Sequence, residues 1–122
     1  MAHFEPFYLA QINRNHWHKS NRNNHFFGNQ LSAHVGMEQG ELDYCGQVDG
    51  AKVPIPHFGC LLSVDQFTEI KQRLVENGVE FIIKPQVRYP GEKGEQHTMF
   101  VLDYSGNPLE FKAFNNPEEV FV

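Results

Sequence analysis

The stretch from Ser63 to Gly78 constrains the fold more than any other. Ser63-Val64-Asp65-Gln66 is a capping-box pattern, with a glutamine three residues after the serine that can answer its backbone N–H. Phe67, Ile70 and Leu74 follow at spacings of three and four, one face of a helix. Lys71 and Arg73 stand toward the end that favours cations, and Gly78 supplies a left-handed stop. The pattern predicts one amphipathic helix between Ser63 and Asn77. Short apolar runs flank it: Pro56–Leu62 before, then Val79–Ile83 ended by Lys84-Pro85, Thr98–Leu102, and Pro108–Phe114 after the turn cluster Asp103–Asn107. Val87–Tyr89 reads as a continuation of the strand before Pro85, and Pro90–Gly94 as a loop. The resulting order is β-α-β-β-β.

A chain of 122 residues, 40% hydrophobic and 20% charged, has the composition of one soluble globular domain. No apolar run approaches the roughly 18 residues of a membrane-spanning helix. Met1–Pro6 has neither a basic start nor an apolar stretch, so no signal peptide is expected. A net charge of −5 argues against a general binder of nucleic-acid backbones, and there is no glycine-rich phosphate loop. Two cysteines, Cys45 and Cys60, are too few for a disulfide framework and read as free thiols of a reducing, cytoplasmic compartment. The partner these features leave is a small molecule, with neither nucleic acid nor membrane.

The N-terminal part differs in texture. Met1–Ile12 is apolar and aromatic, whereas Asn13–His25 holds five Asn and three His with no aliphatic side chain and is expected to be a loop. An internal repeat is hinted at. Phe27-Gly28-Asn29-Gln30-Leu31-Ser32 parallels Ser105-Gly106-Asn107-Pro108-Leu109-Glu110, and Glu5–Ala10 parallels Ile55–Gly59 with an offset of one.

These residues resemble the glyoxalase/bleomycin-resistance/extradiol-dioxygenase superfamily, the vicinal oxygen chelate fold. The resemblance is carried by Pro56-His57-Phe58-Gly59, Asn77–Phe81, Gly94–Asp103 and Ser105–Phe114, with Phe26–His34 fitting the end of a first module. It implies an α+β fold in which paired βαβββ modules form a curved mixed sheet around a cleft holding a divalent metal. Here the first module, about residues 1–35, is truncated, and the second, about 55–114, is complete.

The resemblance makes His57 the first-strand and Glu110 the last-strand metal ligand, with Glu110 also the catalytic carboxylate. Strand alternation puts His57, Gly59 and Leu61 on one face, and Glu110, Lys112 and Phe114 on one face. An imidazole and a carboxylate suit Fe, Mn, Ni or Zn, although a facial triad needs a third ligand. The family's first-module histidine falls at Tyr8, which can ligate ferric iron, hydrogen-bond a substrate or simply pack. His34 is a second choice for that ligand, and His3 a remote third. Phe100 matches a pocket-lining position, and Phe4, Phe7, Phe81 and Phe114 could join it and Tyr8 around a flat ligand. By residue type alone the same positions read more plainly: His57 as a hydrogen-bonded strand histidine, Glu110 as an exposed strand glutamate, Phe100 as core. His16 and His18 read as a solvated loop pair, His97 as a surface histidine without a partner, and Cys60 as packed under the helix.

From His57 to Glu110 is 53 positions, whereas the matching sites of the first module, Tyr8 and Ser32, are 24 apart. The first module therefore lacks about one helix and one strand, which would leave a sheet face uncovered and favour a homodimer. Three readings of function remain: a metal-dependent glyoxalase- or dioxygenase-like enzyme acting on vicinal oxygens, a non-catalytic, drug-sequestering binder, or a degenerate structural member.

Overall fold

The structure, a computed structural model, describes residues 22–33, 41–48 and 50–121. Two hairpins come first. Strands β1 (Arg22–Phe26) and β2 (Asn29–Ala33) pair antiparallel, as do β3 (Asp43–Val48) and β4 (Ala51–Ile55). Then come β5 (Phe58–Leu62), helix α1 (Val64–Glu76), β6 (Phe81–Arg88), β7 (Gln96–Leu102), β8 (Pro108–Phe114) and a 3-10 turn at Pro117–Glu119. The last four strands form one sheet in the order β5-β8-β7-β6, parallel only between β5 and β8. The architecture is α+β, as the resemblance implies.

The helix ends as its sequence dictates. Ser63 caps the N-terminus, its hydroxyl accepting from Gln66 N at 3.1 Å while Ser63 N donates to Gln66 Oε1 at 3.0 Å. At the other end Gly78 has φ +66°, and the N–H groups of Gly78 and Val79 donate to Val75 O and Leu74 O, both at 3.0 Å. That is the paired C-terminal closure a left-handed glycine permits.

Alternation along β7 and β8 separates two faces. Met99, Val101, Leu109, Phe111 and Ala113 turn toward α1 and are buried with Leu62 and Phe67. Ile70, Leu74, Val79 and Phe81 pack around them, as does Cys60. Phe26, at the tip of the first hairpin, joins this core, its ring centroid 6.1 Å from Phe58 and 6.5 Å from Phe111. The opposite face carries the even-numbered residues Thr98, Phe100, Glu110 and Lys112.

Three features depart from the expected pattern. Residues 22–25, expected to close an Asn-rich loop, lie in β1, because the two-residue turn Phe27-Gly28 holds φ +47° and +84° and pairs them with β2. Such a turn matches the twist of a hairpin, and pairing overrides the weak strand propensity of asparagine. The segment 41–55, given no element by its pattern, forms the β3-β4 hairpin; Asp49-Gly50 between short runs was the available signal. Strand β6 runs through Lys84-Pro85 to Arg88, so Val87 and Arg88 do continue the strand before Pro85, without the break expected at Lys84-Pro85. Proline is tolerated there because β6 is the outer strand of its sheet among the described residues and its register with β7 shifts between Ile83 and Gln86.

Candidate functional site

His57 stands just before β5, and Glu110 lies at the centre of β8, opposite Gly59 on one side and Phe100 on the other. The parallel approach of β5 to β8 brings the two side chains together, with His57 Nε2 3.4 Å from Glu110 Oε2. That approach depends on Gly59. A β-carbon there would lie 2.6 Å from the carbonyl carbon of Glu110, with the carbonyl oxygen nearer still.

Each member of the pair is held by further contacts. Nδ1 of His57 is 2.8 Å from the carbonyl oxygen of Pro54. A carbonyl only accepts, so Nδ1 carries a hydrogen and donates, and Nε2 is the nitrogen presented to Glu110. The ring of Phe100, buried on β7, meets the His57 ring edge-on at 5.0 Å and 73°. Glu110 Oε1 accepts a 2.8 Å hydrogen bond from the hydroxyl of Thr98, itself 1% exposed, and lies 3.3 Å from Lys112 Nζ. The carboxylate is thus divided: Oε1 faces Thr98 and Lys112, and Oε2 faces the histidine.

This donor set fits one edge of a metal site. Two ligands about 2.1 Å from a metal, at tetrahedral or octahedral angles, are roughly 3.0–3.4 Å apart. The His57–Glu110 separation of 3.4 Å falls in that range. A histidine whose far nitrogen donates to a backbone carbonyl has the usual outer support of a metal ligand. Among the described residues no third His, Cys, Asp or Glu completes the group. Tyr8, His34 and His3 lie outside the described residues, as do Phe4, Phe7, His16 and His18.

Other expected residues are placed elsewhere. Phe81 packs against the core beneath α1, on the side away from Glu110, so it does not join the aromatic wall. Phe114 is half-buried at the end of β8, two residues beyond Lys112 and on the same strand face. Cys60 packs under the helix as expected, and burial pushes its thiol up to about 12. His97 is not without a partner: its ring lies 5.6 Å from Phe67, and its Nε2 is 2.9 Å from Asn115 Oδ1. The Asn115 amide nitrogen donates to Glu95, which leaves its oxygen to accept from the histidine. Thr98 and Lys112 had no assigned role in the sequence. Their signal was register, since a residue two positions along a strand shares its neighbour's face. The signal at Gly59 was a glycine inside an apolar strand run, which marks close backbone approach.

Solved structures share the fold. The chain is similar to the crystal structure of a glyoxalase/bleomycin resistance protein/dioxygenase from Alicyclobacillus acidocaldarius, with 26% identity and a TM-score of 0.59 over 79% of this chain and 67% of that one. A genomically encoded fosfomycin resistance protein, FosX, from Listeria monocytogenes matches at 18% identity and a TM-score of 0.41, over 58% of this chain and 64% of that one. No protein-family model and no curated protein matches the sequence. The resemblance to the glyoxalase/bleomycin-resistance/dioxygenase superfamily, drawn from the motifs around His57 and Glu110, is therefore seen in the fold as well. Among the described residues no helix is long and apolar enough to cross a membrane.

Proposed function

We propose that this chain is a metal-dependent, glyoxalase- or dioxygenase-like protein acting on a small substrate with two adjacent oxygens. One observation carries the proposal: Nε2 of His57 and Oε2 of Glu110 stand 3.4 Å apart while the other nitrogen and the other oxygen are engaged by Pro54, Thr98 and Lys112. His57 and Glu110 would hold Fe, Mn, Ni or Zn, with Tyr8 or His34 as the third ligand. Such an ion, when bound, supplies Lewis-acid polarisation of a chelated oxygen. The protein's own residues orient and exclude. Pro54 fixes the histidine ring, Thr98 fixes the carboxylate, and Phe100 lays an apolar edge against the ligand pair. A homodimer in the cytoplasm belongs to the same proposal and rests on the shortened first module and the two cysteines.

The engagement of Oε1 by Thr98 and Lys112 favours a second reading, in which this polar cluster is self-sufficient and the face binds a small molecule without catalysis. Metal analysis of protein purified without a polyhistidine tag separates the two. Stoichiometric metal that disappears in His57→Ala and in Glu110→Ala supports the first. Metal-free protein whose Tm rises with flat aromatic ligands supports the second and overturns the first.

A further inference from the structure

We propose that Lys112 is the group by which this face recognises its ligand, and that the ligand is a small organic acid with an apolar body and a second oxygen beside its carboxylate. The inference rests on the preceding reading that the His57–Glu110 face is where the substrate binds. It adds a charge and a shape to that substrate.

Among the described residues the ammonium of Lys112 is only partly used. It has three hydrogens to donate. Its one ion pair among the described residues is to Glu110 Oε1, and at 3.3 Å this is longer than the roughly 2.7–2.9 Å of a tight charge-assisted bond. That same oxygen already takes the Thr98 hydroxyl at 2.8 Å. The Lys112 side chain is 26% exposed, so much of its stem is covered and its reach is confined to this face. A confined cation with donors to spare favours an anion beside it.

Charge points the same way. Glu110 and Lys112 cancel one another on this face. A divalent ion on His57 and Glu110 would leave an excess of positive charge there, with Lys112 released from its task of neutralising the carboxylate. An anionic ligand restores the balance and a neutral one does not.

The neighbours of Lys112 set the shape. In the sheet register Lys112 lies between Leu61 of β5 and Thr98 of β7, and the adjacent row is Gly59, Glu110 and Phe100. Leu61 is 51% exposed, while Phe100 is buried against His57. The cation is thus bordered by an aliphatic side chain on the open side and lies one row from an aromatic ring. A bare inorganic ion would leave Leu61 facing water, whereas a carboxylate carried on a ring or alkyl body would cover it.

Salicylate, whose carboxylate lies beside a hydroxyl, and salicylamide, its uncharged counterpart, form the test pair. Binding is read by titration calorimetry on chelator-treated protein and again with Mn²⁺. Salicylate is expected to bind the Mn²⁺-loaded protein about tenfold or more tightly than salicylamide, as a charged hydrogen bond warrants. In chelator, Glu110→Gln is expected to strengthen salicylate binding severalfold, because the ammonium then has no carboxylate to neutralise. In chelator the preference for the anion should vanish in Lys112→Met and in the Glu110→Gln/Lys112→Met double variant, and it should survive in the Glu110→Gln/Lys112→Arg double variant. A lysine that merely stabilised the fold would change the melting temperature without changing the ratio of the two affinities. Equal binding of the two compounds by metal-free Glu110→Gln, or an anion preference that persists in the metal-free Glu110→Gln/Lys112→Met double variant, overturns the proposal. Failure of Fe²⁺, Mn²⁺, Ni²⁺ and Zn²⁺ alike to bind would instead sink the metal-dependent function, and the chelator arm would still decide the role of Lys112.

Discussion

Replacing Gly59 by alanine is expected to separate β5 from β8 and unmake the site without touching His57 or Glu110. The new β-carbon would lie 2.6 Å from the Glu110 carbonyl carbon and 3.0 Å from its α-carbon. Carbon atoms rest about 3.5 Å apart, so the strands must part by roughly 1 Å, and more to clear the oxygen. A ladder hydrogen bond of about 2.9 Å would then exceed the distance at which such bonds hold. The obstacle is backbone on both sides, so no side chain can swing clear. Two ladder bonds at about 1 kcal/mol each, with the loosened packing of Cys60 and Leu62, give a loss of about 3 kcal/mol. At this chain length that is roughly 10 °C in Tm. Denaturant titration and thermal melts of wild type and Gly59→Ala measure it. Metal retention or ligand binding, where the variant still folds, should fall with it, because His57 is carried on the displaced strand. A variant within about 0.5 kcal/mol of wild type would refute the close-approach reasoning and with it the account of why the ligand pair meets.

Two further outcomes can be checked together. Thr98→Val keeps the shape of a residue that is 1% exposed but removes the 2.8 Å bond to Glu110 Oε1. It should cost about 2 kcal/mol in urea unfolding, the range for a hydrogen bond to a charged group, and a loss under 0.5 kcal/mol would contradict the assigned contact. Burial raises the Cys60 thiol from 9.0 to about 12, so the folded state keeps its proton where the unfolded chain releases it. Its contribution is full below pH 9 and declines from there toward pH 12, so wild type should lose stability relative to Cys60→Ala across that window. A difference between the two proteins that does not change with pH would count against the burial.

The second half of the fold was legible because its local signals agree with its packing. The capping box, the apolar stripe of Phe67, Ile70 and Leu74, and Gly78 each mark the helix that forms, and the alternating run Leu109–Ala113 marks a strand with one buried face. Local signals failed where pairing decides. Asn23 and Asn24 are strand residues only because β2 lies beside them, and Pro85 sits in a strand only because that strand is outermost. The meeting of His57 with Glu110 followed from alternation together with the family motif. The supporting contacts did not, since Thr98 reaches Glu110 through an antiparallel register that no motif specifies.

The proline and register shifts of β6 bear on how the protein behaves in a crowded solution. An outermost strand offers its free amides and carbonyls to any extended chain that drifts past, and a flat, regular one invites stacking into aggregates. Pro85 has no amide hydrogen to offer, and the irregularities on either side of Ile83 spoil the even spacing a foreign strand would need. Among the described residues that flank of the sheet is therefore poorly suited to recruiting further chains, and replacing Pro85 with a regular strand former would remove a safeguard against fibre-like association.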